Sequence, residues 1–154
     1  MPGAARAHLR HNPSMSEIPL HKFPARLDAF DAIRQQLESS VSSLNWQPDD
    51  IRRCTLVLEE LFTNSVKYGT PAGTDPHVYL GMVPASDRSI ALTYEDRAPQ
   101  YDPFAQVSTA HTNPNINLRG IGGLGVPLIL RLTEQARHTP LPVGNRITLV
   151  FRPR

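Results

Sequence analysis

The chain has 154 residues, 40% hydrophobic and 19% charged, which suits one domain with its own core and is too apolar for a disordered chain. Its formal charge of +2 is local: residues 1–26 carry Arg6, Arg10, Lys22 and Arg26 against Glu17, and the remainder is close to neutral, so no nucleic-acid surface is expected. The single cysteine, Cys54, excludes an intrachain disulfide, the six histidines lack metal-ligand spacing, and no run reaches the ~18 apolar residues of a membrane span.

Residues 1–16 contain no apolar signal-peptide core and read as a flexible tail before a single domain at 17–154. With the lone cysteine, this fits a cytoplasmic protein away from membranes. Ile18–Phe23 is a short candidate strand closed by Pro24. No proline falls in 25–47 or 49–70 and no glycine in 4–68, so two long helices are expected early. The first spans Arg26–Leu44, with Leu27, Phe30, Ile33, Leu37 and Val41 at helical spacing. The second runs from Pro48, behind an N-cap at Gln47, to Tyr68, with Gly69 as its C-terminal cap.

Val78–Val83 and Ser89–Glu95 then read as strands joined by a hairpin turn at Pro84–Arg88. Periodicity fails from Arg97 to Arg119, and a loop of that length suggests a functional lid or a linker. The glycine cluster 120–125 follows, then a helical run Val126–Glu134 and closing strands at Gln135–His138 and Arg146–Phe151. This order predicts an α+β two-layer sandwich, with helices on one face of a mixed, mostly antiparallel sheet.

Three places carry chemistry. On the second helix, Ile51, Cys54, Leu58, Leu61, Phe62 and Ser65 form a sheet-facing stripe, while Val57, Glu60, Asn64 and Tyr68 share another face. Glu60 and Asn64, one turn apart, aim a carboxylate and an amide oxygen at one space, as a magnesium-phosphate site requires. Taken alone, the same face also suits a solvated surface with Glu59 and Lys67. Gly120, Gly122, Gly123 and Gly125 precede a helix, where backbone N–H groups approach phosphate closely. The cluster is neither a Walker A motif nor a dinucleotide fingerprint. Asp96, at a strand end, can accept from an exocyclic amine such as that of adenine, or serve as an ordinary turn residue.

In this order the segments Leu58–Gly69, Asp96–Pro103 and Gly120–Gly125, with Asn145–Phe151 closing, resemble the GHKL (Bergerat-fold) ATPase superfamily. They are most similar to its RsbW-type anti-sigma-factor serine kinases, over about residues 18–152. The resemblance implies ATP or ADP and Mg²⁺ as cofactors, with Glu60 as the general base and Asn64 as the metal ligand. It also implies that Asp96 binds adenine beside Ala98, that Thr148 supports the adenine-side network, and that Arg119, Gly120, Gly122, Gly123, Leu124 and Gly125 close over the phosphates. The implied partners are a sigma factor, a STAS-domain antagonist and a second copy of the chain. Two positions depart from the pattern: Ala98 replaces the glycine of Asp-x-Gly, losing its freedom in φ, and Tyr68 replaces a common histidine. The alternative is a non-catalytic ATP/ADP-binding partner-switch module acting on a target other than a sigma factor. A histidine-kinase ATPase domain is disfavoured because no dimerisation helix pair with an acceptor histidine is visible.

Overall fold

The computed structural model describes residues 18–69, 75–105 and 125–154. Within these, the chain builds β1 (His21–Pro24), α1 (Phe30–Val41), α2 (Pro48–Tyr68), β2 (His77–Pro84), β3 (Ile90–Asp96), α3 (Gly125–Leu132), β4 (Gln135–Pro140) and β5 (Asn145–Phe151). The first helix is shorter than the expected 26–44: residues 27–29 form a separate 3₁₀ turn before α1. The α2 boundaries match the proline and glycine punctuation. Asp50 accepts from the Gln47 N–H at 3.2 Å, closing a capping box, and Gly69 caps in a right-handed conformation, donating to Ser65 O at 2.9 Å.

The five strands pair in the order β1-β2-β3-β5-β4. Every pairing is antiparallel, so the sheet lacks the mixed component among the described residues. Antiparallel register puts directly opposed residues on one face. Leu80, Tyr94 and Ile147 align on the helix-covered face, and Asp96 lies opposite Asn145 at the end of the β3–β5 ladder.

The core lies between this face and the helices. Ile33 and Leu37 from α1, Leu58 and Phe62 from α2, and Leu92 and Leu149 from the sheet are fully buried. Phe62 also stacks at a tilt on Phe30, with ring centroids 5.7 Å apart. Val57, which shares the face of Glu60, is fully buried too. Helix α3 packs against α2 and widens its apolar stripe. Cys54 is core as expected, and burial pushes its thiol well above the ordinary range.

Two polar clusters tie the edges together. The Arg53–Asp50 ion pair at 3.0 Å is almost fully buried; Arg53 also donates to the carbonyls of Leu132 and Arg152, so the charge is neutralised and hydrogen-bonded. Trp46 Nε1 donates to Arg88 O at 2.8 Å, and the Arg88 guanidinium reaches Leu44 O and Asn45 O, fastening the α1–α2 connection to the β2–β3 turn. Among the described residues no helix is long and apolar enough to cross a membrane.

Candidate functional site

A cavity of about 300 Å³ opens where α2 and α3 meet the ends of β3 and β5. Leu61, Val126, Ile129 and Ile147 make its apolar side, and Pro99, Tyr101 and Pro103, just beyond β3, make its outer wall. Four polar side chains enter this lining: Asn64, Ser65, Asp96 and Asn145. An apolar slot with few convergent polar groups is the usual form of a small-molecule site.

Asp96 is the best-held of these groups. Its Oδ1 accepts from Ala98 N at 3.2 Å and from Asn145 Nδ2 at 3.0 Å, and its Oδ2 accepts from Ser65 Oγ at 3.3 Å. The Tyr94 hydroxyl in turn donates to Ser65 Oγ at 2.7 Å. Burial pushes the Tyr94 phenol far above its ordinary range, opposed by the Ser65 hydrogen bond and reinforced by the Asp96 charge. Tyr94 therefore keeps its proton, with Ser65 Oγ at 2.7 Å and Leu61 O at 3.3 Å as its acceptors, while Ser65 donates to the Asp96 carboxylate. A flat ring entering the slot with an exocyclic N–H meets a carboxylate whose orientation is already set.

Asn64 lines the cavity, and Glu60, one turn earlier on the same face of α2, stands outside its lining. Asn64 Nδ2 lies 3.4 Å from Glu60 Oε1, so the amide nitrogen faces the carboxylate and the amide oxygen is the atom available to a cation. Glu60 packs against Gly125, the first residue of α3: a Cβ built there would lie 2.0 Å from Glu60 Oε1. Glycine at this position makes room for the carboxylate. Tyr68 stands at the rim, 56% exposed.

Ala98 lines the cavity. Among the described residues the non-glycine positions with positive φ are Asn45 and Arg88, so the backbone at 98 does not need the left-handed freedom that glycine supplies, and alanine is accommodated without strain. The glycine required nearby is Gly144, with φ of +109°, where a Cβ would fall 2.0 Å from Asp96 O.

Thr148 does not reach this site. Side chains of a strand alternate between faces, and β5 buries Asn145, Ile147, Leu149 and Phe151 while Arg146, Thr148 and Val150 turn to the other side. Thr148 lines a separate depression with Arg137 and Glu134, on the face where Glu95 pairs with Arg146 at 2.6 Å and with Arg97 at 3.2 Å. The residue beside Asp96 is Asn145, which the motifs did not single out. The signal was present: Asn145 has the same strand parity as the apolar Ile147 and Leu149, and Thr148 does not. Arg119, Gly120, Gly122, Gly123 and Leu124 lie outside the described residues.

No curated protein matches the chain. Solved structures share its fold, among them the following two. The crystal structure of the RsbU and RsbW domains of Rv1364c from Mycobacterium tuberculosis aligns with 87% of this chain at a TM-score of 0.57 and 20% identity; this chain spans 32% of that one. The SiaB–SiaC complex from Pseudomonas aeruginosa aligns with 86% of this chain and 88% of the other at a TM-score of 0.58 and 16% identity. Residues 23–151 match the family model described as the histidine kinase-like ATPase domain, and the chain belongs to that family.

Proposed function

We propose that this chain is a protein serine/threonine kinase of the anti-sigma-factor type. It binds ATP in the cavity over Asp96, transfers the γ-phosphoryl group to a small STAS-type antagonist, and sequesters a sigma factor by partner switching. The observation that carries this reading is the pairing of Glu60 and Asn64 on one face of α2, with Glu60 against Gly125 and Asn64 in the lining of the Asp96 slot. Membership in the ATPase family supports nucleotide binding, and one structural neighbour is a two-protein complex, SiaB with SiaC, which supports a protein partner.

The chain's own residues then divide the work. Asp96 accepts from the adenine amine, and Leu61, Ile129 and Ile147 bury the ring. Asn64 Oδ1 is a hard oxygen suited to Mg²⁺, which usually takes one or two protein oxygens plus phosphate and water. Among the described residues no group of three His, Cys, Asp or Glu would hold a metal by itself, so the fit is to an ion shared with phosphate. When bound, the ion supplies neutralisation of phosphate charge. Glu60 orients the acceptor hydroxyl and takes its proton as the oxygen attacks the γ-phosphorus and the ADP oxygen leaves. The catalytic contribution is position and charge.

The test is transfer of labelled γ-phosphate from ATP to a purified STAS-domain protein, with partner exchange followed by pull-down in ATP and in ADP. Labelling of a serine or threonine on that protein supports the kinase. Nucleotide binding and partner exchange without any transfer would instead support the passive partner-switch module.

A further inference from the structure

The Asn145 side chain has every hydrogen-bonding position filled. Its Nδ2 donates to Asp96 Oδ1 at 3.0 Å and to Pro99 O at 3.1 Å, while Oδ1 accepts from Tyr101 N at 2.8 Å and faces His138 Nε2 at 2.8 Å. The partners fix which way round the amide lies. A carboxylate and a carbonyl only accept, and a backbone N–H only donates. The same logic requires a proton on His138 Nε2. Asn145 thus has nothing left to give a ligand, although it lines the cavity.

Its effect is on Asp96. A carboxylate offers roughly four acceptor positions. On Asp96, Oδ1 is filled by Ala98 N and Asn145 Nδ2, and Ser65 Oγ takes one position on Oδ2. Among the described residues one position remains, on Oδ2. A free carboxylate recognises guanine with both oxygens at once, accepting from the ring N–H and the neighbouring amino group. Adenine presents a single exocyclic amine and needs one acceptor.

We propose that Asn145 is a specificity-determining positioning residue: by occupying Asp96 Oδ1 it leaves the pocket one acceptor, which admits adenine and leaves a donor of guanine unpaired. Leaving a buried donor unpaired is what makes such a site discriminate. The same amide joins the outer wall, through Pro99 and Tyr101, to the start of β5 and to His138 on β4, so the filled oxygen and the wall are held by one group. This proposal rests on the nucleotide reading of the cavity.

The test is equilibrium titration of the full chain with ADP and with GDP, in wild type and in Asn145→Leu, read as the ratio of the two dissociation constants. The wild type is expected to prefer ADP by about 10- to 100-fold, the factor one unpaired buried donor costs. Asn145→Leu frees Oδ1 and is expected to lower the preference by about tenfold, a gain for GDP relative to ADP that a structural defect does not produce. Asn145→Ser, too short to reach Asp96, gives the same readout if the leucine variant does not fold. Equal weakening of both nucleotides with the ratio unchanged overturns the proposal, as does a wild type that binds ADP and GDP alike. A wild type that binds neither removes the nucleotide reading itself.

Discussion

Gly125 and Glu60 are in such close contact that no side chain fits between them: a Cβ at 125 would lie 2.0 Å from Glu60 Oε1 and 2.4 Å from its carboxyl carbon. The glycine at the start of α3 therefore sets where the carboxylate on α2 can rest. Gly125→Ala is expected to displace Glu60 and reduce phosphoryl transfer by about 100-fold, the cost of a displacement near 1 Å in positioned catalysis. The ADP dissociation constant should move by less than about threefold, because the Asp96 end of the cavity is untouched. Single-turnover transfer and ADP titration on the same variant check both halves.

Ala98→Gly returns the residue expected in the Asp-x-Gly pattern, and the structure gives it nothing to gain. The backbone there is not left-handed, so glycine adds only freedom to the unfolded chain, and the variant should be less stable by about 0.4–1 kcal/mol. Urea unfolding checks this. ADP affinity that stays within about twofold of wild type shows that alanine does not impair the pocket, whereas a large gain in affinity contradicts the geometry.

Removing the Tyr94 hydroxyl by Tyr94→Phe leaves Ser65 without its donor. The expected loss is about 1 kcal/mol, the net contribution of a buried hydrogen bond, together with weaker ADP binding as Ser65 loses a partner that holds it toward Asp96. Chemical denaturation and titration of the variant separate the two effects.

Alkaline stability follows from two buried groups. Burial raises the Cys54 thiol above its ordinary 9.0 and the Tyr94 phenol above its ordinary 10.0. In the unfolded chain both ionise near those ordinary values, so above them the unfolded state binds fewer protons than the folded one. Their contribution to stability is complete below about pH 9 and falls as pH rises, by up to ~1.4 kcal/mol per pH unit for each ionised group. Urea midpoints measured between about pH 8 and 10.5 should decline on this schedule, and a thiol reagent should label Cys54 only on unfolding.

Much of this was legible from punctuation and periodicity. Gln47-Pro48 and Gly69 bracket α2 because a helix start tolerates proline and a helix end favours glycine, and Glu60 and Asn64 share a face because they are one turn apart. Other features depended on packing that a single element does not encode. Val57 is core on a helix that α3 packs against, and Ala98 is unstrained because of a backbone angle that residue type does not reveal. The residue that holds Asp96 was within reach of the strand alternation, which places Asn145, and not Thr148, on the face of Ile147. Its saturation by Asp96, Pro99, Tyr101 and His138 required three segments, the end of β3, β4 and β5, to be brought together in space.

The central claim, that Glu60 does chemistry in a site that binds ATP without it, is tested most directly by Glu60→Gln. Glutamine keeps the size and removes the base, so the variant is expected to bind ATP within about threefold of wild type while transfer to the antagonist falls by about 100-fold or more, the usual contribution of a general base. Transfer that continues at the wild-type rate with ATP bound would contradict the account.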